Sequence, residues 1–330
     1  MLHHLLSQNR PLLADGATGT NLFAMGLMSG DSPELWNATH PERTTLLHRQ
    51  FVDAGADIIL TNTFGANRRR LMLHDLQERT HELNALAVQN ALNATQGAGR
   101  PVVIAGSLGP TGDLFAPLGA LTEAEAVEVF AEQVAGLKAG GAHVIWIETM
   151  SAFEEIRAAA AACARHAMPF TVTASFDTAG KTRMGIAPAR LAGEATGLMP
   201  APLAVGANCG VGATDLLASV LAMSAAHPGA VLIAKANCGI PQWHGDHIHY
   251  SGTPELMADY ARLAIDAGAR IIGGCCGTSP AHLAAMRRAL DTHVPGPRPV
   301  LADVIARTGA LAQQISSDDA APPKRARRRA

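Results

Sequence analysis

The sequence predicts a (β/α)8 barrel folded as a single domain, and three observations carry the prediction. Three segments look like copies of one junction: Ala54-Gly55-Ala56-Asp57-Ile58-Ile59-Leu60, Gly140-Gly141-Ala142-His143-Val144-Ile145-Trp146 and Ala267-Gly268-Ala269-Arg270-Ile271-Ile272-Gly273. Each ends a helix at glycine and enters a strand, the signature of repeated parallel units. Eight short apolar runs bounded by turn residues are spread along the chain, and they do not alternate with polar residues, as strands covered on both faces require. Finally, the residues that close these runs are polar, and barrel enzymes gather their chemistry at that end of the strands.

In order, Pro11–Ala14 is the first strand, and Pro41 opens the helix that returns from it. The runs Asp57–Asn62 and Val102–Ser107 follow, and Thr122 with Glu125 forms a capping box at the start of the next helix. Val144–Glu148, Phe170–Ser175 and Leu203–Asn208 are the fourth to sixth strands. The long uncharged stretch from Leu216 to Ala234 is broken by His227-Pro228-Gly229, so it reads as helix, turn and strand and not as a membrane span. Val231–Asn237 is the seventh strand, Thr253-Pro254 starts its helix, and Arg270–Gly274 is the eighth. The barrel is expected over residues 1–300. Residues 301–330 form an extension whose end, with Lys324, Arg325, Arg327, Arg328 and Arg329, reads as a disordered, solvated basic tail.

Composition bounds the function. With 330 residues, 48% hydrophobic, 26 basic and 28 acidic side chains, the chain is neither disordered nor collagen-like nor a nucleic-acid binder by charge. The 5 cysteines are odd in number and no export signal precedes them, so they are expected as reduced thiols in a cytoplasmic protein.

Four of those cysteines fall at strand ends. Strand six closes on Asn208-Cys209-Gly210, strand seven on Asn237-Cys238-Gly239, and strand eight on Gly273-Gly274-Cys275-Cys276-Gly277-Thr278. Neighbouring residues of a regular strand face opposite ways, so Cys275 and Cys276 share an ion only if the backbone turns sharply between them, which the flanking glycines permit. With Cys209 as a third thiolate, the set suits tetrahedral zinc with one exchangeable position, whereas the paired CxxC spacing of structural zinc is absent. Three anionic sulfurs make zinc a poor Lewis acid toward water, but such an ion still lowers the pKa of an incoming thiol, preparing it to attack an electrophilic carbon such as a methyl group. Cys163 reads as a buried core thiol, and the group His244, Asp246, His247 and His249 reads as a lid or surface loop.

Asp15-Gly16-Ala17-Thr18-Gly19-Thr20, Asn208-Cys209-Gly210 and Gly273-Gly274-Cys275-Cys276-Gly277-Thr278, in this order over residues 10 to 290, resemble the homocysteine S-methyltransferase family. That family includes betaine and S-methylmethionine methyltransferases and the homocysteine module of cobalamin-dependent methionine synthase. The resemblance implies a (β/α)8 barrel with zinc ligands at Cys209, Cys275 and Cys276, and a weak oxygen ligand at Asn237 when homocysteine is absent. It also implies that Asp15 and Glu148 hold the homocysteine ammonium, and that the turn from Gly16 to Thr18, with the Thr18 or Ser107 hydroxyl, receives the carboxylate. A cationic donor favours an aromatic enclosure, for which Trp36 is the leading candidate among Trp36, Phe64, Phe115 and Trp243. Gly65 stands where betaine-using members tend to carry Tyr. The expected activity is zinc-dependent methyl transfer to homocysteine thiolate from betaine or S-methylmethionine, yielding methionine. The alternative is a homocysteine-activating subunit served by a separate corrinoid protein.

Overall fold

The computed structural model describes residues 1–8, 10–244 and 247–313, without side-chain detail for 241–249. Eight strands form one parallel sheet: β1 (Leu12–Leu13), β2 (Ile58–Leu60), β3 (Val103–Leu108), β4 (Val144–Met150), β5 (Phe170–Ala174), β6 (Val205–Cys209), β7 (Leu232–Ala236) and, after a small hairpin, β10 (Ala269–Gly274). The order β1-β10-β7-β6-β5-β4-β3-β2 brings β1 and β2 to its two edges, where an Ala14–Ile58 bridge joins them into a ring. Helices Pro41–Asp53, Thr80–Thr95, Glu123–Gly140, Phe153–Arg165, Pro188–Thr196, Ala213–Ala226, Pro254–Asp266 and Pro280–Thr292 return the chain after successive barrel strands. This is the predicted (β/α)8 barrel. Among the described residues no helix is long and apolar enough to cross a membrane.

The local signals act as expected. Thr122 accepts from the Glu125 amide at 3.2 Å while Glu125 reaches back to Thr122 at 2.9 Å. Gly55, Gly141 and Gly268, the glycines of the repeated junction, have φ of 101°, 97° and 101°. This left-handed turn is cheap only for glycine, and it ends each helix where the next strand must begin.

Two apolar regions result. The larger lies between sheet and helices and includes Leu47, Phe51, Phe130, Leu137 and Met286. The smaller fills the ring itself with Leu12, Ile58, Val103, Val144, Trp146, Ile233 and Ile271, and helix Leu2–Ser7 closes its floor with Leu2 and Leu5. At the other end, helix Leu301–Thr308 packs outside the barrel against Ala213–Ala226 and Pro254–Asp266.

One expectation is corrected. The segment expected as an irregular loop is an antiparallel hairpin, β8 (Pro241–His244) with β9 (His247–Tyr250), in which Pro241 pairs with Tyr250 and His244 with His247. The alternation of His247, Ile248, His249 and Tyr250 is the period of a strand, and the loop reading overlooked it. Gly245, Asp246 and the basic tail lie outside the described residues.

Candidate active site

Within the ring each strand rises from apolar to reactive in steps of two, because alternate side chains share the inner face. Val144 and Trp146 lead to Glu148, Val103 and Ala105 to Ser107, Ile233 to Lys235, and Ile271 and Gly273 to Cys275. The mouth opens into a cavity of about 330 Å³, whose wall includes Thr18, Glu34, Phe64, Ser107, Glu148, Lys235 and all three cysteines Cys209, Cys275 and Cys276.

The backbone delivers the thiols to one point. Cys275 still pairs with β7, its amide donating to Ala236 at 2.6 Å, and a turn closed by Thr278 N–H to the Cys275 carbonyl at 3.1 Å then swings Cys276 round. Gly277 has φ 80°, and a side chain there would strike the Tyr250 ring. Cys209 itself is left-handed at φ 62°, as is Thr149 beside Glu148 at φ 61°. Such strain in non-glycine residues clusters where a site fixes a geometry. The three sulfurs lie within 4.8 Å of one another, Cys209 and Cys276 at 4.0 Å. Thiolates on one tetrahedral ion stand about 3.8 Å apart, so the donor set and spacing fit zinc. Without a cation the thiols stay protonated: Cys275 lowers the Cys209 pKa, but Cys276 and burial outweigh it and push Cys209 up to about 12. A cation must supply the charge that makes them ligands.

Asn237 clamps the two thiol-bearing turns together. Its Nδ2 donates to the Gly210 carbonyl at 2.6 Å, and its Oδ1 accepts from the Cys276 amide at 3.0 Å. Both polar ends thus have backbone partners, and Asn237 does not line the cavity.

Glu148 is buried at the cavity wall, accepting from the Ser107 hydroxyl at 2.5 Å and from Asn208 Nδ2 at 3.4 Å. Burial raises its pKa, and Lys235 and Ser107 oppose that rise. Asn208 also takes the Thr149 amide at 2.8 Å and gives to the Thr149 hydroxyl at 2.7 Å, tying the ends of β4 and β6. Ser107 thus serves Glu148. Asp15 accepts from the Leu60 amide at 2.7 Å through one oxygen, and its other lies 3.1 Å from Lys235 Nζ. Burial lowers the Lys235 pKa, but Asp15, Cys275 and Glu148 together hold it above its ordinary range. Asp15 is at the centre yet behind Lys235, outside the cavity wall. Gly16 and Thr18 line the wall, and a side chain at Gly16 would come within 2.6 Å of the Thr278 carbonyl.

Trp36 is not brought to the cavity. Its ring is buried edge-on to His40 at 4.9 Å, with the Arg43 guanidinium 4.9 Å from its centre, so a cation of the chain itself already covers it. The wall near that loop is made by Phe64 and Glu34, and Glu34 accepts from the Gly65 amide at 2.8 Å. A side chain at Gly65 would come within 2.7 Å of Glu34. Sequence reasoning missed Lys235, Glu34 and Tyr250, whose hydroxyl bonds Cys276; Cys209 and Tyr250 favour that thiolate, but Cys275 and burial outweigh them and push the Cys276 pKa up to about 12. Lys235 alone had a signal, as a single charge in an apolar strand two residues after Ile233.

Comparison with known proteins agrees with this geometry. The chain is 30% identical to methionine synthase of Mycobacterium tuberculosis over 84% of its own length and 24% of that protein. It is 28% identical to the Mycobacterium leprae methionine synthase over 87% of its length and 25% of that protein. It therefore spans about a quarter of these relatives. The metallated form of the homocysteine methyltransferase MmuM from Escherichia coli superposes with a TM-score of 0.72 at 26% identity, covering 87% of this chain and 99% of that one. Residues 12–290, from the first barrel strand to the end of the last barrel helix, match the model of homocysteine S-methyltransferases, and with the three thiols set at one mouth the chain belongs to that family.

Proposed function

We propose that the protein methylates homocysteine to methionine at a metal centre formed by Cys209, Cys275 and Cys276. The observation that carries this reading is that the thiol trio and the buried carboxylate of Glu148 open into the same cavity. Zinc, when bound, lowers the pKa of the incoming thiol and keeps its sulfur electron-rich. Glu148, steadied by Ser107 and Asn208, offers its carboxylate to the substrate ammonium. The cavity that the thiols and Glu148 share holds the acceptor sulfur and the donor methyl in line. A sulfur–carbon bond forms as the donor's bond to the methyl breaks, and the donor leaves as a neutral sulfide or amine.

The donor is a small cation whose charge faces Glu34 and the Phe64 ring. Glu34 occupies the space that an aromatic side chain at position 65 would need, and it repels a carboxylate close to the donor's positive atom. This favours a sulfonium such as S-methylmethionine over betaine. Methionine formation by zinc-loaded protein with betaine, S-methylmethionine and S-adenosylmethionine in parallel, with Cys275→Ala as blank, tests this. Turnover fastest with S-methylmethionine is expected.

A second reading, an acceptor-activating module that receives its methyl group from a corrinoid protein, is favoured by the chain's matching a quarter of the methionine synthases. Silence with all three donors despite homocysteine binding would select it.

A further inference from the structure

Each thiol of the centre meets a hydrogen-bond donor, and the three donors differ in kind. Cys209 is bonded by the Gly210 amide, and Cys275 faces Asn208 Nδ2 at 4.0 Å, a group that serves Thr149 more closely at 2.7 Å. Among the described residues Cys276 alone is met by a hydroxyl, that of Tyr250. The backbone fixes this meeting. Tyr250 ends the hairpin strand β9, and its ring lies on Gly277, the residue after Cys276, where any side chain would strike it. The Cys238 amide donates to the Cys276 carbonyl at 2.9 Å, and the Gly252 amide donates to the Cys238 carbonyl at 3.0 Å. His282, in the helix Pro280–Thr292, holds the Gly252 carbonyl through Nε2 at 3.3 Å. The base of the hairpin and the turn that carries Cys276 are thereby one unit, and the phenol has little room to withdraw.

A phenol in this place remains a donor. Burial raises the Tyr250 pKa and the charge of the sulfurs raises it further, so the hydroxyl keeps its proton where a metal ionises the thiols. Three thiolates on one divalent ion make a negative centre, and the sulfur of an acceptor adds to that charge. A hydrogen bond to one thiolate withdraws part of it and leaves the ion a better acid toward the incoming thiol. We propose that Tyr250 is a positioning residue of the metal centre, its hydroxyl donating to the Cys276 thiolate, fixing that sulfur and draining charge from it. Tyr250 acts through Cys276 and touches neither substrate, and it does not line the cavity. This deepens the metal-centre reading above and rests on it.

The test uses the full chain, with the tyrosine ring as its own probe. The protein has 2 tyrosines, and the other, Tyr260, is buried with its hydroxyl accepting from the Ala236 amide at 3.1 Å, so protein isotope-labelled at tyrosine Cζ gives one NMR signal for each. Zinc loading should move the Tyr250 signal downfield, as the phenol begins to serve a thiolate, and leave that of Tyr260 in place. Tyr250→Phe keeps the ring on Gly277 and removes only the hydroxyl. It should lose the moving signal, still take up about one zinc per chain, and hold that zinc about tenfold less tightly against a chelator. Loaded with cobalt instead, the variant should show its sulfur-to-metal charge-transfer band at longer wavelength than wild type, because an undrained thiolate gives up an electron more easily. A merely structural Tyr250 would leave both the affinity and the band of Tyr250→Phe at wild-type values, which would overturn the proposal. If Tyr250→Phe does not fold, Tyr260→Phe assigns the two signals, and a Tyr250 signal that ignores zinc refutes the proposal while the metal centre stands. Wild-type protein that takes up neither zinc nor cobalt refutes the metal centre, and this proposal with it.

Discussion

The floor and the mouth of the barrel are made by the same strands, one inward step apart, yet they treat polarity in opposite ways. At the floor Leu2, Leu5, Leu12, Val144 and Trp146 form a dry plug in which the Trp146 indole gives its one N–H to Thr173 at 3.3 Å. At the mouth Glu148 and Lys235 are nearly as buried, with the half-buried thiols beside them, but each of the two is held by neighbours on another strand. Burial is therefore not what separates the two regions. The difference is that the mouth has partners for every charge and leaves a cavity for one more, while the floor has neither.

Four outcomes would break or sharpen that contrast. The largest belongs to the thiols: Cys275→Ala should take bound zinc from about one ion per chain to none and methionine formation to background. Metal analysis checks it, and full zinc in the variant would remove Cys275 from the centre. At the floor, Trp146→Ala should cost about 3–5 kcal/mol in urea unfolding with zinc content unchanged in the folded protein. Loss of metal there would mean that floor and mouth are not separable.

The third concerns a buried polar group that has no hydrogen-bond partner among the described residues. His48, in the helix Pro41–Asp53, has both ring nitrogens buried and unpaired, and burial lowers its pKa from 6.5 to about 4. The folded form thus binds a proton less readily than the unfolded chain. Stability present above pH 6.5 should fall by about 3 kcal/mol as the pH drops through 4, and His48→Leu should remove that part of the slope. Identical pH profiles for the two proteins would show that His48 finds a partner. The smallest effect is at a cap: Thr122→Ala should cost about 1 kcal/mol and change neither zinc nor turnover.

What could be read in the sequence was whatever a local rule dictates. The glycine junctions announced helix ends because few residues tolerate φ near 100°, and Cys275-Cys276 between glycines announced a turn with two thiols. The eight runs were visible because strands covered on both faces are apolar throughout. Lys235 broke that uniformity as the one charge in its run, but with no alternation nothing marks whether such a residue faces the ring or the helices. The partners of Asp15 and Asn237 lie far away in sequence, on β7 and β2 and on the two thiol turns respectively, so their roles emerge only when the ring closes. Trp36 was chosen for its chemistry, but Arg43, one helical start further on, already covers its ring.

The two ends of the described chain lie on opposite faces. Helix Leu2–Ser7 closes the floor, whereas Asp215, in the first turn after β6, caps the amides of Ala312 and Gln313, and Gln313 bonds Gly180 in the loop after β5. Anything tethered beyond Gln313 is launched beside the mouth, and anything fused before Met1 starts a barrel's length away. For a donor-bearing module the first attachment gives a high effective concentration with a short linker, and the second requires one long enough to pass the whole barrel.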